Sequence, residues 1–163
     1  MIDKIAIDLD GVIVDFLKGA IEAGIYNPET GKMDEQKLED ADAGFWSGLP
    51  SIVEGMWLYS RLYAYSKKKD FTLYVLSHAI NEAAREGKRE WIEKNLHISL
   101  MNVVFVAKRR DKNDFADPET VLIDDYEKNC EEFEKSGGKA VLFHRKDMKK
   151  TLEDLRKYLN EIQ

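Results

Sequence analysis

The sequence predicts an α/β fold with a mainly parallel sheet flanked by helices. Three observations carry that expectation. Short, β-branched apolar runs alternate with segments whose apolar residues recur at helical spacing. Several of those runs stop at polar residues of chemical interest, as sites at the carboxyl edge of such a sheet require. The chain has 163 residues, 44% of them apolar, enough for one domain with a real core and a small appendage.

The elements follow in order. "KIAIDL" reads as a buried strand, and "GVIVDFLKGAIEAG" as a helix ending near Gly24. The next stretch, "IYNPETGKMDEQKLEDADAGFWSGLP", is polar, holds two of the three prolines and has weak periodicity, which marks it as an insertion. "SIVEGMWLYSRLYAYSKKK" returns to helical spacing through Ile52, Val53, Met56, Leu62 and Tyr63, with lysines suited to the negative end of the helix dipole. "FTLYVLS" is a second strand. "NEAAREGKREWIEKNL" is a helix with Asn81 as N-cap. "NVVFVA" is a strand, "KRRDKNDFADPE" a charged loop, "TVLID" a strand, "YEKNCEEFEKSGG" a helix closed by glycines and "KAVLFH" a fifth strand. "KKTLEDLRKYLNEI" ends the chain as an amphipathic helix.

Composition narrows the function classes. With 31 acidic against 25 basic residues the net charge is −6, which disfavours generic binding to nucleic-acid backbones or anionic membranes. Cys130 is the single cysteine, so no internal disulfide forms and a reducing cytoplasm is the expected location. The first residues lack the basic region and apolar run of a signal peptide, and no apolar run approaches the length of a membrane span. A homodimer is left open.

The polar residues that follow the strands form a chemical set: Asp8 and Asp10, Ser77, a lysine in the 108–112 loop, and Asp124 and Asp125. Two carboxylates at ~4 Å and an effective dielectric near ~20 repel by about 4 kcal/mol, a cost that a divalent cation would offset. Oxygen-only ligation suits a hard ion such as Mg²⁺, which keeps waters and accepts a substrate phosphate. An aspartate beside such an ion can attack phosphorus, and a second carboxylate can move the proton. Gly11 frees the turn after the acidic pair.

"DLDGVIVDF", "LSH", the downstream lysine and "VLIDD" together resemble, in order, the four motifs of the haloacid dehalogenase (HAD) superfamily of phosphohydrolases. "GFWSGLP", "GKREWIEKNL" and "VLIDDYEKNCEEFEKSGGKAVLF" bring the resemblance closer to its 5′(3′)-deoxyribonucleotidase (5′-nucleotidase type C) branch. The resemblance implies a Rossmann-like core over 1–16 and 51–163, with residues 17–50 as a small helical cap inserted after the first motif. It implies an Mg²⁺-dependent phosphomonoester hydrolase working through an aspartyl-phosphate on a small phosphorylated substrate, a nucleoside monophosphate in that branch. Asp8 would be the nucleophile and Asp10 the general acid/base. Asp8, the main-chain carbonyl of Asp10, and Asp124 with Asp125 would hold the metal. Ser77 would bind phosphate, with the motif lysine at Lys112 rather than Lys108 and Lys88 matching a lysine near substrate. The insertion is shorter and more polar than in the animal enzymes, which bears on the nucleotide substrate more than on the chemistry.

Each residue also has a plainer reading. The Asp8–Asp10 pair could be a turn, Ser77 a strand end, and the 108–112 loop a solvated charge run. His78 could touch substrate or be a hydrogen-bonded surface residue. Cys130 reads as a small buried side chain, and Asp15 as a brace for the loop. Phe16, Phe45 and Trp46 are core residues by default, or an aromatic cap over the site that stacks on a base. Three other readings compete: a phospho-accepting receiver-type signalling domain, a degenerate family member that binds metal and ligand without catalysis, and a phosphatase acting on nucleic-acid ends.

Overall fold

The computed structural model describes residues 1–69 and 71–159. The chain begins with β1 (Lys4–Ile7), then α1 (Phe16–Glu22), a hairpin of β2 (Tyr26–Asn27) and β3 (Lys32–Met33), and two short helices, α2 (Glu35–Glu39) and α3 (Ala43–Ser47). It continues through α4 (Val53–Ser66), β4 (Thr72–His78), α5 (Glu82–Asn95), β5 (Val103–Val106) and a 3₁₀ segment, Arg109–Phe115. It ends with β6 (Thr120–Asp124), α6 (Glu127–Lys135), β7 (Lys139–Leu142) and α7 (Met148–Arg156). The last residues of the helix expected at the C-terminus lie outside the described residues.

The five longer strands form one parallel sheet in the order β5-β4-β1-β6-β7, so the strand order reverses at β1. β1 is central, with Ile7 beside Val75 on one side and Ile123 on the other. Burial on both faces explains why the strand sequences are near-continuous apolar runs. On one face Ile5 and Ile7 meet Leu58, Leu62, Trp91, Ile92 and Leu155. On the other, the smaller Ala6 packs with Tyr74, Leu76, Leu122 and Phe133. No helix among the described residues is long and apolar enough to cross a membrane.

Three sequence expectations change. The helix expected from Gly11 starts only at Phe16; residues 11–14 make a tight turn, with bridges from Val14 to Asp10 and to Ser51. The reason is that Val12, Ile13 and Val14 are all buried, whereas a helix would bury one face only. Gly11, at φ 78°, makes the turn possible. In α4 the buried face is Gly55, Leu58, Tyr59 and Leu62, while Val53, expected on that face, is 76% exposed. The polar stretch before α4 carries the β2–β3 hairpin, and it also supplies Trp46 and Leu49 to the main core.

Candidate active site

The carboxyl ends of β1, β4 and β6 bring the sequence-selected residues to one edge of the sheet. Asp8 follows β1 directly; its backbone N–H donates to the Ile123 carbonyl (2.9 Å), and its Oδ1 accepts from the Leu9 N–H (2.8 Å). Asp124 ends β6 and is fully buried. Its oxygens accept from the Tyr126 N–H (2.9 Å), from Asn129 Nδ2 (3.1 and 3.0 Å) and from Lys112 Nζ (2.7 Å). Lys112 Nζ also lies 2.9 Å from Asp8 Oδ2, so one buried ammonium bridges the first and last acidic motifs. Lys112 is 2% exposed, while Lys108 is exposed. The 3₁₀ segment supplies the reach, because it carries the chain back from the sheet edge at β5 towards β6.

Asp8, Asp124 and Asp125 each offer an oxygen, and these oxygens lie within 4.8 Å of one another. Asp125 is the exposed member and sits against Gly11, where any Cβ would collide with its carboxylate. Burial, followed by the nearby Asp124 and Asp10 charges, pushes Asp8 up to about 7 despite the opposing pull of Lys112. Burial and then Asp124 push Asp125 up to about 6. Burial alone would lower Lys112, but Asp8 and Asp124 outweigh it and hold the ammonium charged. An all-oxygen, like-charged trio with two members buried and one open to solvent fits a hard divalent cation.

Across this cluster, Asp10 meets Lys88 from α5. Lys88 Nζ donates to Asp10 Oδ2 and to the His78 carbonyl (2.5 Å), and lies 3.5 Å from Ser77 Oγ. Asp10 Oδ1 is buried without a hydrogen-bond partner among the described residues, so this carboxylate has unused accepting capacity. Ser77 is fully buried at the end of β4. His78 Nε2 sits 3.0 Å from the Ala107 carbonyl, and burial and then Lys88 lower its pKa.

Phe16, Phe45 and Trp46 form one aromatic cluster. Phe16 and Trp46 stack at 5.6 Å, and Phe45 meets Trp46 edge-on at 5.1 Å. Trp46 is 3% exposed, with Lys88 Nζ 5.1 Å from its ring centre, while Phe16 and Phe45 stay half-buried. Asp15 caps α1 and takes a 2.7 Å bond from Arg145 Nη1, tying the first loop to the chain beyond β7. Cys130 is buried, and burial pushes its thiol up to about 12. Asn129 and Arg145 were not singled out from the sequence. Asn129 follows Asp124 by five residues on α6, a spacing that says nothing until the turn between them is known.

No family model matches the chain, and no curated protein matches it. Several solved structures do. One is a HAD-family enzyme from Bacteroides thetaiotaomicron in complex with magnesium and inorganic phosphate, with TM-score 0.52 and 14% identity over 90% of this chain and 96% of that one. Another is a HAD-like family hydrolase from Porphyromonas gingivalis, with TM-score 0.54 and 15% identity, covering 99% of each chain. A third is the L-2-haloacid dehalogenase of Xanthobacter autotrophicus, with TM-score 0.53 and 12% identity over 96% and 83% of the two chains. At these identities the likeness is one of fold. The chain has the HAD-type α/β fold, with an acidic cluster and a buried lysine at the carboxyl edge of its sheet.

Proposed function

We propose that this chain is a HAD-type phosphohydrolase that cleaves small phosphomonoesters with Mg²⁺ through an aspartyl-phosphate on Asp8. The observation that carries the reading is the convergence of Asp8, Asp124 and Asp125 around one point, with Lys112 bridging two of them. Asp8, Asp124, Asp125 and the main-chain carbonyl of Asp10 would hold the ion. When bound, it would neutralise phosphoryl charge beside the nucleophile.

The residues of the chain divide the work. An Asp8 carboxylate oxygen attacks phosphorus, and the bond to the leaving oxygen breaks as Asp10 supplies that oxygen's proton. Asp10, now ionised, takes a proton from water, whose oxygen attacks the same phosphorus and releases phosphate from Asp8. Lys112 orients Asp8 and pulls it towards its ionised form against the burial that raises it, and offers charge to phosphoryl oxygens. Ser77 and Lys88 sit beside Asp10, where a phosphoryl group would need donors.

Residues 17–50 serve as the cap, with 1–16 and 51–163 as the catalytic core. The half-buried Phe16 and Phe45 offer an aromatic surface that suits a planar ring, which supports deoxynucleoside monophosphates as substrates. The strand order argues against the receiver reading. Receiver domains of the flavodoxin type run 2-1-3-4-5, whereas the parallel strands here run 3-2-1-4-5 in chain order.

Phosphate release from p-nitrophenyl phosphate and dUMP with Mg²⁺, compared between wild type and Asp8→Asn, tests the scheme. The variant is expected to lose at least about 1,000-fold in kcat, as removal of a covalent nucleophile does. Equal rates would overturn it.

A further inference from the structure

Trp46 is 3% exposed, so its indole has almost no surface to offer a substrate ring. Packing fixes its place. α3, which carries it, lies on α5 at Gly87, where a Cβ would stand 2.3 Å from the Ala43 carbonyl oxygen and 2.6 Å from Trp46 Cβ. Phe16 stacks on the ring and Phe45 meets it edge-on. The residue after Gly87 is Lys88, and its Nζ lies over the Trp46 ring, 5.1 Å from the centre. Trp46 Nε1 is buried without a hydrogen-bond partner among the described residues. The indole therefore meets Lys88 with its face rather than its donor, and an indole face attracts a cation more strongly than any other side-chain ring.

Lys88 is 2% exposed, and the polar groups around its ammonium all belong to the candidate site. It donates to Asp10 Oδ2 and to the His78 carbonyl, and lies 3.5 Å from Ser77 Oγ. Asp10 is its carboxylate partner among the described residues. A lysine ammonium is a point charge on a flexible stem, so hydrogen bonds alone leave it several orientations. A buried aromatic face beside it removes some of them and keeps out water that would compete for its donors. With Asp10 Oδ2 engaged by Lys88, the unpartnered Oδ1 is the oxygen left to carry a proton to a substrate.

We propose that Trp46 is a positioning residue for proton transfer: its indole face holds Lys88 against Asp10, and Lys88 in turn orients the Asp10 carboxyl towards the leaving oxygen. This rests on the phosphohydrolase reading and adds to it a residue that touches no substrate. As the P–O bond breaks, its electron pair goes to the leaving oxygen. That oxygen takes the proton from Oδ1 while Oδ2 keeps its bond from Lys88. The contact matters most for a leaving group that departs poorly as an anion.

The test compares benzyl phosphate, whose alkoxide must be protonated as it leaves, with p-nitrophenyl phosphate, whose phenolate departs as an anion. The measured quantity is kcat/KM with Mg²⁺, which covers the steps up to loss of the leaving group. Both esters present the same phosphoryl group, so a change in phosphate binding cancels in their ratio. Trp46→Leu and Trp46→Met should each lower kcat/KM about tenfold more for benzyl phosphate than for p-nitrophenyl phosphate, part of the ~10²–10⁴-fold that a positioned acid supplies. Trp46→Phe, which keeps an aromatic face, should recover most of that difference. Lys88→Met should show the same selective loss, and adding Trp46→Leu to it should cost nothing more. Equal losses on the two esters, or losses that multiply in the double variant, overturn the proposal and leave Trp46 a packing residue. Urea melts identify the variants that fold, and either Trp46→Leu or Trp46→Met carries the comparison. If wild type turns over neither ester, the phosphohydrolase reading fails and the same double-variant cycle is read in the melts. Stability losses that do not add then support the hold of Trp46 on Lys88, and additive losses overturn it.

Discussion

Lys112 carries the largest electrostatic responsibility of any single residue. It is the one cation in contact with two buried carboxylates, Asp8 and Asp124, among the described residues. Removing one member of such an arrangement leaves the others buried and unpaired, which costs about 3–5 kcal/mol, well above the ~0–1 kcal/mol of an exposed pair. Lys112→Met keeps most of the side-chain volume and removes the charge. In a chain of this size each kcal/mol moves Tm by roughly 2–4 °C, so thermal melts of the metal-free variant should fall by about 6–20 °C. Added Mg²⁺ should restore more of that loss than it adds to wild type, because the ion supplies the missing positive charge. An unchanged melting temperature would show that Lys112 does not neutralise this site. Asn129 cannot substitute for the charge, although its amide satisfies both Asp124 oxygens.

Between elements, the decisive contact is α4 against the turn that carries Asp10. A Cβ on Gly55 would overlap the Val12 carbonyl oxygen and lie 2.6 Å from its carbon and 3.1 Å from Ile13 Cα. Backbone cannot yield as a side-chain tip does, so α4 or the 11–14 turn must shift. Gly55→Ala would gain up to about 1 kcal/mol of helix propensity, while overpacking costs about 1–3 kcal/mol. Strain should win. The variant is expected to melt roughly 2–8 °C lower and to lose phosphatase activity, because the same turn sets the position of Asp10. A rise in melting temperature with activity intact would mean the turn adapts freely. The small polar stretch before α4 works the same way: Trp46 packs into the core and under Lys88, so that stretch and the acidic edge of the sheet share a contact surface.

At the scale of the molecule, the acidic edge is a liability to the fold that a bound cation would relieve. Asp8 titrates near 3.8 in an unfolded chain but is pushed up to about 7 in the folded one, and Asp125 is pushed up to about 6. Between those values the folded chain holds more protons than the unfolded chain, so stability falls as pH rises. The metal-free protein is therefore expected to lose stability from about pH 4 to about pH 7, and to level off above that. Mg²⁺ competes with those protons, so its effect should grow over the same window. At about 100 times its Kd a ligand adds about 2.7 kcal/mol, a Tm rise of roughly 5–11 °C in a chain of this size. Scanning fluorimetry with Mg²⁺ and with EDTA at several pH values measures both trends. A Tm that does not respond to Mg²⁺ at pH 8 would contradict a shared metal site.

Strand and helix periodicities are local properties of the chain, and so the sequence alone predicted the five parallel strands, α5 with its Asn81 cap and the glycine-ended α6. The acidic residues at strand ends were equally legible, because a carboxylate after an apolar run stands out without any partner in view. Other features depended on residues far apart in the chain. The run from Val12 to Val14 has helix-like spacing, yet contacts with Ser51 and Gly55 hold it as a turn. Lys112 and Lys108 differ little in sequence, but the return of the chain from β5 to β6 buries the first and leaves the second in water. Asn129 and Arg145 have meaning only beside Asp124 and Asp15. Short-range preferences choose elements; which charges share a low-dielectric space is a property of the packed molecule.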